Sequence, residues 1–316
     1  VLQQDYKDIF ENFIGIEKSG SLNINSSNFL VKTLKGNFIL KKISSNQSKK
    51  VKSLCEVDTK LSPVFNRIPK IVTGENSNKF SELNGNFYLL YEKIGSSHYS
   101  GEKKEFDMFL DTFMNYQKVV KDKKIRLSTD HQIICAESLL KLTKFYEGNQ
   151  EIKSEIKEIL EPHKNIILSN ISSINNLLFT SPNLNAYHID LHPHNLSISE
   201  GELFFLDLDS FQMTSLDRSL GFAFYKLLRQ SFSLYGKDLK LSDLINLDKL
   251  EKFFKLENIN LMSLKVGASY EILRRILIIF EEIIQNNESR WEFVLPSHIR
   301  GLYEIDTIFD NLDNGR

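Results

Sequence analysis

The sequence predicts an α+β fold with two lobes, a small antiparallel β-sheet lobe followed by a mainly helical lobe. Between about residues 29 and 95, short apolar runs alternate with turn signals, as in strands joined by tight connections. From about Glu105 onward, apolar residues recur three and four positions apart, as on one face of a helix. The chain has 316 residues, of which 41% are hydrophobic, so each lobe has enough apolar material for a core. We place the lobes at residues 1–95 and 96–316.

In the first lobe we expect a leading helix and then the order β-β-α-β-β, with an antiparallel sheet at its centre. Apolar residues at helical spacing indicate the leading helix within residues 1–15. The triplet Lys35-Gly36-Asn37 supplies a tight turn between two strands. The remaining elements follow in chain order: strands Phe29–Leu34 and Phe38–Ile43, a helix that ends near Pro63, and extended segments over 68–74 and 85–95.

In the second lobe, helical segments surround two short extended runs. The helical period is clearest over 106–120, 132–148, 155–178 and from Leu220 to the end of the chain. The extended runs are Ala186–Ile189 and Leu203–Leu208, and a turn signal, Glu200-Gly201-Glu202, lies between them. The second lobe is therefore predicted to be helical except around this segment.

Composition argues against several classes of partner. The 40 Lys and Arg against 41 Asp and Glu leave a net charge of −1, which favours neither nucleic acid nor an anionic membrane surface. The longest apolar stretch, residues 272–284, is interrupted by arginines and glutamates and is too short to span a bilayer. Cys55 and Cys135 are expected to be buried free thiols, and no signal peptide is visible. We therefore expect a cytoplasmic protein.

The stretch YHIDLHPHNLSISEGELFFLDLDSF, residues 187–211, concentrates polar side chains between apolar runs. Four potential metal ligands occupy alternate positions: His188, Asp190, His192 and His194. On a continuous strand they would share one face and form a zinc or dinuclear hydrolase site. Pro193 disfavours a continuous strand, and the other histidines form no paired motif. A His/Asp metallohydrolase is therefore kept as the weaker alternative.

The same stretch suits phosphoryl transfer. That reaction needs a carboxylate to orient the attacking hydroxyl and accept its proton, together with oxygen ligands for Mg²⁺. Asp190 has the residue type for the first task. Asn195 lies five residues later, across a loop, and Asp207 follows the next apolar strand, so both are candidates to reach one cation.

The pattern resembles the catalytic segment of the aminoglycoside phosphotransferase and choline kinase superfamily, which are small-molecule kinases with a protein-kinase-like fold. Members carry His-x-Asp-x-x-x-x-Asn followed by a strand with Asp-x-Asp or Asp-x-Glu, and this chain has HIDLHPHN and FLDLDSF. The resemblance implies that Asp190 is the catalytic base and that Asn195 and Asp207 bind Mg²⁺, with Asp209 as a further metal contact. It also implies that His188 orients the loop backbone.

The resemblance assigns residues of the first lobe to the nucleotide. Lys41, at the end of a predicted strand, would bind the phosphates, and Glu56 on the following helix would be its ion-pair partner. Lys42 points to the opposite face of that strand, so only one of the two lysines reaches the site. The adenine would hydrogen-bond to backbone groups around Glu92 and Ile94.

Two assignments depart from the usual pattern or are ambiguous. No G-x-G-x-x-G is present, so the loop over the phosphates would lie within residues 17–28, with Gly20 and several hydroxyl side chains. Asp217 matches an aspartate that supports the catalytic loop in the superfamily, but an ordinary aspartate at a helix N-terminus would look the same.

The expected reaction moves the γ-phosphate of ATP or GTP to a hydroxyl of a small molecule, such as an aminoglycoside, choline or another amino alcohol, a sugar or a related metabolite. A protein acceptor is disfavoured because Ile189 stands where protein kinases carry Arg, and no Phe-Gly follows Asp207. A non-catalytic nucleotide-binding protein is the other alternative. Two acceptor pockets remain open, an aromatic box (Tyr225, Tyr235, Tyr270 and Trp291) and an acidic pocket (Glu281, Glu282, Glu288 and Glu292).

Overall fold

The fold is described from a computed structural model, which confirms the α+β class with an antiparallel sheet and a mainly helical remainder. The described residues are 5–10, 13–19, 26–74, 77–95, 97–130, 134, 136–148, 153–175, 184–236 and 240–314. They form two compact units, each discontinuous in sequence. The first unit comprises 1–99, 112–129 and 194–212, and the second comprises 100–111, 130–193 and 213–316. A boundary near residue 95 stays a prediction.

The first unit contains a five-stranded antiparallel sheet with strand order β1-β2-β3-β5-β4. Its strands are β1 (Phe13–Ser19), β2 (Ser26–Thr33), β3 (Gly36–Ser44), β4 (Ser81–Leu83) and β5 (Asn86–Glu92). The β2–β3 hairpin closes at the pair Thr33 and Gly36, and Gly36 has φ +137°, a backbone conformation that suits glycine. The two strands and the turn predicted here are therefore confirmed to within a few residues.

One prediction for the first lobe holds only in part, and another was wrong. The leading helix forms as α1, Lys7–Phe10 among the described residues. Residues 13–19 form strand β1, because hydrogen bonding to β2 outweighs a weak local helical pattern. The expected strand over 68–74 is reduced to one bridge between Ile71 and Tyr91. Pro69 lacks an N–H donor and interrupts pairing beside that bridge.

The two faces of the sheet have different neighbours. On one face, Leu40 and Leu90 form a cluster with Val31 and with Tyr6, which precedes α1. Lys41 is the next residue of β3 and points to the other face, where its side chain is buried. Helix α2 (Ser48–Leu61) follows directly in the chain after a short 3₁₀ turn and buries its own apolar stripe.

The first unit also holds a three-stranded sheet formed by β6 (Ser97–His98), β8 (Leu196–Ser199) and β9 (Glu202–Phe205). Strand β7 (Asn185–His188) pairs with β10 (Phe211–Thr214) in a two-stranded sheet. The expected run Leu203–Leu208 thus ends as a strand at Phe205, before the acidic residues that follow it. Cys55 is a half-buried free thiol whose pKa is raised by burial, and Cys135 lies outside the described residues.

The remaining elements are helices, as predicted. They are α3 (Lys103–Lys123), α4 (Ala136–Tyr146), α5 (Ser154–Leu160), α6 (Lys164–Asn175), α7 (Leu216–Tyr235), α8 (Leu241–Leu244), α9 (Leu247–Glu257), α10 (Leu261–Asn286) and α11 (Leu295–Asn314). Within the second unit, α7 and α10 pack closely through Gly221 and Gly267. Among the described residues, no helix has both the length and the apolar character that crossing a membrane requires.

Candidate active site

The hairpin β8–β9 sets the spacing between Asn195 and Asp207. The last ladder pair is Leu196 with Phe205, and the backbone N–H of Leu206 donates to the Asn195 carbonyl at 2.8 Å. Asn195 and Asp207 therefore leave the same end of the hairpin on adjacent strands. Asn195 is the last residue of a 3₁₀ turn, Pro193–Asn195, and Asp207 has a left-handed backbone conformation with φ 56°. Both candidate ligands thus lie where regular strand structure stops.

Lys41 lies between the carboxylates of Asp207 and Asp209. Its Nζ is 3.3 Å from Asp207 Oδ1 and 3.0 Å from Asp209 Oδ1. Lys50, in the first turn of α2, forms a second ion pair with Asp209. Ser210 Oγ donates to Asp207 Oδ2 at 3.0 Å. The first unit therefore brings Lys41, Asp207 and Asp209 together, and their roles at a nucleotide site stay a prediction.

The two carboxylates differ in their electrostatic surroundings. Burial, and next the charge of Asp209, raises the pKa of Asp207 to about 7. Burial alone would also raise the pKa of Asp209, but Lys41, a hydrogen bond with Asp207 and Lys50 hold it well below its usual range. Burial favours the neutral form of Lys41, yet the two carboxylates outweigh it and raise the pKa of Lys41, so the lysine stays charged.

This donor set fits Mg²⁺ better than a closed metal cage. Mg²⁺ is usually held by one or two carboxylates together with substrate phosphates, and Asp207 and Asp209 offer oxygen atoms only. Within the described ranges, no group of three or more His, Cys, Asp or Glu side chains is arranged to hold a metal ion. The described side chains therefore give no support to the metallohydrolase alternative.

The prediction of an ion pair between Lys41 and Glu56 was wrong, because the two side chains have other partners among the described residues. Glu56 instead accepts from Lys60 at 2.7 Å and from the backbone N–H of Ser128 at 3.0 Å. The register of α2 gives the reason. Lys50 faces Asp209, and Glu56, six residues later, lies about 240° further round the helix axis. Lys41 takes its two partners from the Asp-x-Asp segment.

Asp190 lies in the second unit and is held by Arg275 of α10. Arg275 Nη2 is 2.9 Å from Asp190 Oδ1 and also donates to the Ile189 carbonyl at 3.3 Å. The backbone N–H of Asp190 donates to Nδ1 of buried His188 at 3.1 Å. His192 Nε2 is 3.6 Å from Asp190 Oδ2, which is too long for a hydrogen bond.

The Asp190 carboxylate is kept ionised. Burial alone would raise its pKa, but the neighbouring His192 and the Arg275 cation together lower the pKa of Asp190 well below its usual range. We attribute the effect mainly to Arg275, because its contact is within hydrogen-bond distance and that of His192 is not. Asp190 thus presents a charged carboxylate at neutral pH.

Comparison with known proteins identifies the fold. No protein-family model and no curated protein matches the sequence, whereas solved structures match nearly all of the chain. A spectinomycin phosphotransferase in complex with ADP and spectinomycin has a TM-score of 0.66 at 11% identity, covering 99% of this chain and 96% of that one. An amicoumacin kinase in complex with AMP-PNP and Ca²⁺ has a TM-score of 0.64 at 16% identity, covering 97% and 91%. The choline kinase of Streptococcus pneumoniae has a TM-score of 0.56 at 14% identity, covering 94% and 96%.

The chain has the fold of the small-molecule kinases. The resemblance to the aminoglycoside phosphotransferase and choline kinase superfamily, first seen in residues 187–211, is thereby confirmed as a likeness of fold. At these identities the likeness identifies the architecture and assigns no role to any individual side chain.

Within this kinase fold, the segment assigned to the adenine already uses some of its backbone groups. The Glu92 N–H donates to the Lys70 carbonyl at 3.2 Å, and the Ile94 carbonyl accepts from Ser197 Oγ at 3.3 Å. Glu92 itself is exposed. The adenine assignment stays a prediction, and residues 20–25 of the expected phosphate loop lie outside the described residues.

The segment that contains His188 and Asp190 is supported by Ser219. Its Oγ donates to the His188 carbonyl at 2.7 Å, one turn into α7. The Asp217 side chain, for which this role was considered, makes no hydrogen bond among the described residues, and burial raises its pKa. Ser219 therefore makes the supporting contact that was expected of Asp217.

Sequence reasoning missed Arg275, Glu271 and Lys50. Glu271 is fully buried and accepts from Arg274 Nε at 3.1 Å and from Arg275 Nη1 at 3.2 Å. The signal was present, because two adjacent arginines interrupt an otherwise apolar helix and buried charges need partners. Nothing local indicated which carboxylates they would meet.

Proposed function

We propose that the chain is a small-molecule kinase that transfers the γ-phosphate of ATP to a hydroxyl group of its acceptor. The observation that carries this proposal is that the buried Lys41 lies between Asp207 and Asp209. The site thus combines a positive charge for phosphates with two carboxylates that could bind a metal ion. Phosphoryl transfer depends on this combination of positive charge and metal-binding carboxylates more than on covalent chemistry. The kinase fold, shared with structures that contain ADP or AMP-PNP, supports the same conclusion.

The residues of the first unit would bind the nucleotide. Lys41 supplies the positive charge for its phosphates, and Asp207 and Asp209, with Asn195 at the same hairpin end, supply the oxygen ligands for Mg²⁺. When bound, Mg²⁺ neutralises charge that develops on the phosphates. Without a nucleotide, Lys41 is the counter-ion of Asp207 and Asp209. Binding of Mg²⁺–ATP would replace these ion pairs with contacts between Lys41 and the phosphates and between the carboxylates and Mg²⁺.

Asp190 would orient the acceptor hydroxyl and accept its proton as the new bond from the hydroxyl oxygen to the γ-phosphorus forms. The bond from the γ-phosphorus to the β,γ-bridging oxygen would break in the same step, and ADP would leave with that oxygen. Its low pKa makes it a weak base, which fits a reaction in which positioning dominates and proton transfer comes late. Arg275 fixes the carboxylate from one side, and the contact between the Asp190 N–H and His188 fixes the backbone. His188 is thus a positioning residue in this proposal.

The proposal is tested by ATP consumption across aminoglycosides, choline, other amino alcohols, sugars and hydroxy acids. With an accepted substrate, Asp190→Asn should lower kcat by about a thousandfold, because the carboxylate acts in the transition state, while Mg²⁺–ATP affinity changes little. Asp243→Asn, an exposed aspartate of α8, is the matched control and should keep full activity. The same assay with GTP tests the choice of nucleotide.

Undiminished turnover in Asp190→Asn would reject the catalytic assignment. Binding of Mg²⁺–ATP without consumption across the panel would instead favour a non-catalytic nucleotide-binding protein. Loss of Mg²⁺–ATP binding in Asp207→Ala is expected, and normal affinity in that variant would count against a ligand role.

A further inference from the structure

Positive charge gathers beside Asp190 within the second unit. Arg275 contacts Asp190 at 2.9 Å, and its guanidinium carbon lies 4.0 Å from the centroid of the Phe222 ring. Lys226, on the same helix as Phe222, has its Nζ 5.4 Å from that ring and 5.1 Å from the ring of Tyr225. Two cations therefore lie against one aromatic ring next to the proposed catalytic carboxylate.

Lys226 has no ion-pair or hydrogen-bond partner among the described residues. Burial, and then the charges of Arg275 and Arg229, lowers the pKa of Lys226 to about 8. Its aromatic neighbours offer a cation–π contact, which offsets only part of the cost of burying an ammonium group. Lys226 is thus a half-buried cation without an ion-pair partner among the described residues.

The carboxylates near Lys226 are engaged by other groups. Glu304 accepts from Tyr225 Oη at 3.0 Å and pairs with Arg229 Nε at 2.7 Å. Asp190 is held by Arg275, and the fully buried Glu271 is shared by Arg274 and Arg275. Among the described residues named here, three carboxylates face four cations, which are Lys226, Arg229, Arg274 and Arg275.

His298 adds a polar group without adding charge. Its Nδ1 is buried and has no hydrogen-bond partner in the described part of the chain. Burial, followed by the charges of Arg275 and Lys226, lowers the pKa of His298 to about 3, so the imidazole is neutral at pH 7. A neutral imidazole offers one donor and one acceptor, and Nδ1 of His298 is therefore free to bind a ligand.

We infer that Lys226, Arg275 and His298, the anion cluster, bind an acidic group of the acceptor, a carboxylate or a phosphate, while Asp190 orients its hydroxyl. The acceptor would then be an acidic hydroxy compound. An anion supplies the counter-ion that Lys226 lacks, and charge-assisted hydrogen bonds to it are among the stronger polar contacts. A polycationic aminoglycoside or a quaternary ammonium would be repelled by the same cluster.

Three of the four glutamates named for an acidic pocket already have partners, which agrees with this inference. Glu281 accepts from Ser138 Oγ at 2.5 Å and lies 3.8 Å from Lys141. Glu282 and Glu292 both bind Ser289, the latter through the backbone N–H at 2.6 Å. These three carboxylates thus have partners of their own, and Lys226 remains without an ion-pair partner among the described residues.

The acceptor assignment rests on the proposed kinase function, but anion binding is measurable without catalysis. Binding of sulfate, inorganic phosphate and gluconate to the full chain is followed by thermal stabilisation and calorimetry, without nucleotide. Sorbitol, the uncharged counterpart of gluconate, and choline serve as comparison ligands. We expect stabilisation by the anions and none by sorbitol or choline. Stabilisation by choline, or no response to any anion, overturns the inference.

Variants locate the anion. Lys226→Gln should weaken anion binding about tenfold, because one charge-assisted contact is lost. Lys226→Arg keeps the charge and should retain binding, which separates loss of the site from loss of folding. Lys255→Gln removes an exposed lysine of the same unit and should change nothing. Full binding in Lys226→Gln, or loss confined to Lys41→Met, would place the anion elsewhere and overturn the inference.

The pH dependence gives an independent readout. Gluconate stays ionised above about pH 5, so any loss of binding at higher pH reports on the protein. Lys226, which faces Arg275, Arg229, Asp190 and Glu304, loses its proton as pH rises through about 8, and gluconate affinity should fall there. In Lys226→Arg the affinity should stay constant over that range, since arginine does not titrate. A flat profile in the unmodified protein would contradict the inference.

The experiments distinguish failure of the acidic-acceptor inference from failure of the kinase proposal. ATP consumption with choline or aminoglycosides, without anion binding, would leave the kinase proposal standing and remove the acidic acceptor. Anion binding that depends on Lys226, without ATP consumption, would leave the site standing and remove the kinase proposal.

Discussion

Lys41 shows how one residue joins distant parts of the chain into a site. Its partners Asp207 and Asp209 are 166 and 168 positions away in sequence. The pKa values of the two aspartates, which are only two residues apart, are shifted in opposite directions. Asp209 has both Lys41 and Lys50 as partners, whereas Asp207 shares Lys41 and lies beside the charge of Asp209. Such a split is typical of functional sites, where stability is given up for binding.

The raised pKa of Asp207 makes stability depend on pH. Because the pKa in the folded state, about 7, exceeds the unfolded value of about 4, this carboxyl favours folding most below pH 4. That contribution is lost as pH rises towards 7. Asp207→Asn should therefore be more stable than the unmodified protein at pH 8, by about 1 kcal/mol once screening of the 37% exposed side chain is allowed for, and equal to it near pH 4. Urea unfolding at both pH values measures the difference.

Asp209→Asn is the matched control, with the opposite sign. The pKa of Asp209 is lowered in the folded state, so its carboxylate stabilises the fold above about pH 4 and this stabilisation is lost on acidification. Asp209→Asn should thus be less stable than the unmodified protein at pH 8. The same sign of change in both variants would refute the assignment of the two environments.

At the scale of elements, α7 and α10 come into contact at two glycines. A Cβ added at Gly221 would lie 2.2 Å from the Leu264 carbonyl oxygen, and one added at Gly267 would lie 2.1 Å from the Asp217 carbonyl oxygen. Both distances are too short for any side chain, and the obstacle is backbone in each case. This close contact sets the position of α10, which carries Arg275, relative to α7, which carries Lys226 and Ser219.

Gly267→Ala should destabilise the protein by about 1–3 kcal/mol or more, because the helices must separate and their packing is lost. Denaturant unfolding measures this change. Gly15→Ala is the control, since a Cβ at Gly15 meets nothing within 4 Å, and it should be neutral or slightly stabilising. Unchanged stability in Gly267→Ala would mean that the contact between the helices is looser than described.

At the scale of the whole molecule, each compact unit has its own apolar core. In the first unit, aromatic rings pack edge to face or tilted around Tyr116, with Phe65, Phe205 and Phe211. In the second, Phe224 contacts Phe106, Phe253 and Phe254. Lys41, Asp207 and Asp209 belong to the first unit, and Asp190 and the anion cluster belong to the second.

A ligand that binds only the folded protein raises its stability by mass action. At about 100 times its dissociation constant, Mg²⁺–ATP should add about 2.7 kcal/mol to the free energy of unfolding. The increase should vanish in Lys41→Met and persist in Lys32→Met, a control that removes an exposed strand lysine paired with Glu17. Denaturant unfolding with and without Mg²⁺–ATP measures both, and equal stabilisation in the two variants would reject the phosphate-binding role of Lys41.

Much of the fold and part of the site could be predicted from sequence. The β2–β3 hairpin, helix α2 and the helices of the second unit have strong local patterns, and all form close to where they were expected. Residues 13–19 and 68–74 are the exceptions. Pairing with β2 makes the first of these segments a strand, and Pro69 limits the second to one bridge. Glu56 was misassigned because residue type and approximate position do not fix the direction of a side chain around a helix.

The sequence by itself determined the fold class, the helical character of the second unit and the spacing of Asp190, Asn195, Asp207 and Asp209 along the chain. These properties depend on local propensity and on short-range periodicity, which are written in neighbouring residues. Only the tertiary structure decided that Lys41 meets Asp207 and Asp209, that Arg275 meets Asp190, and that Lys226 lacks a carboxylate among the described residues. The reason is that electrostatic pairing depends on distance and burial in three dimensions, and residues 85 or 166 positions apart become neighbours only when the chain has folded.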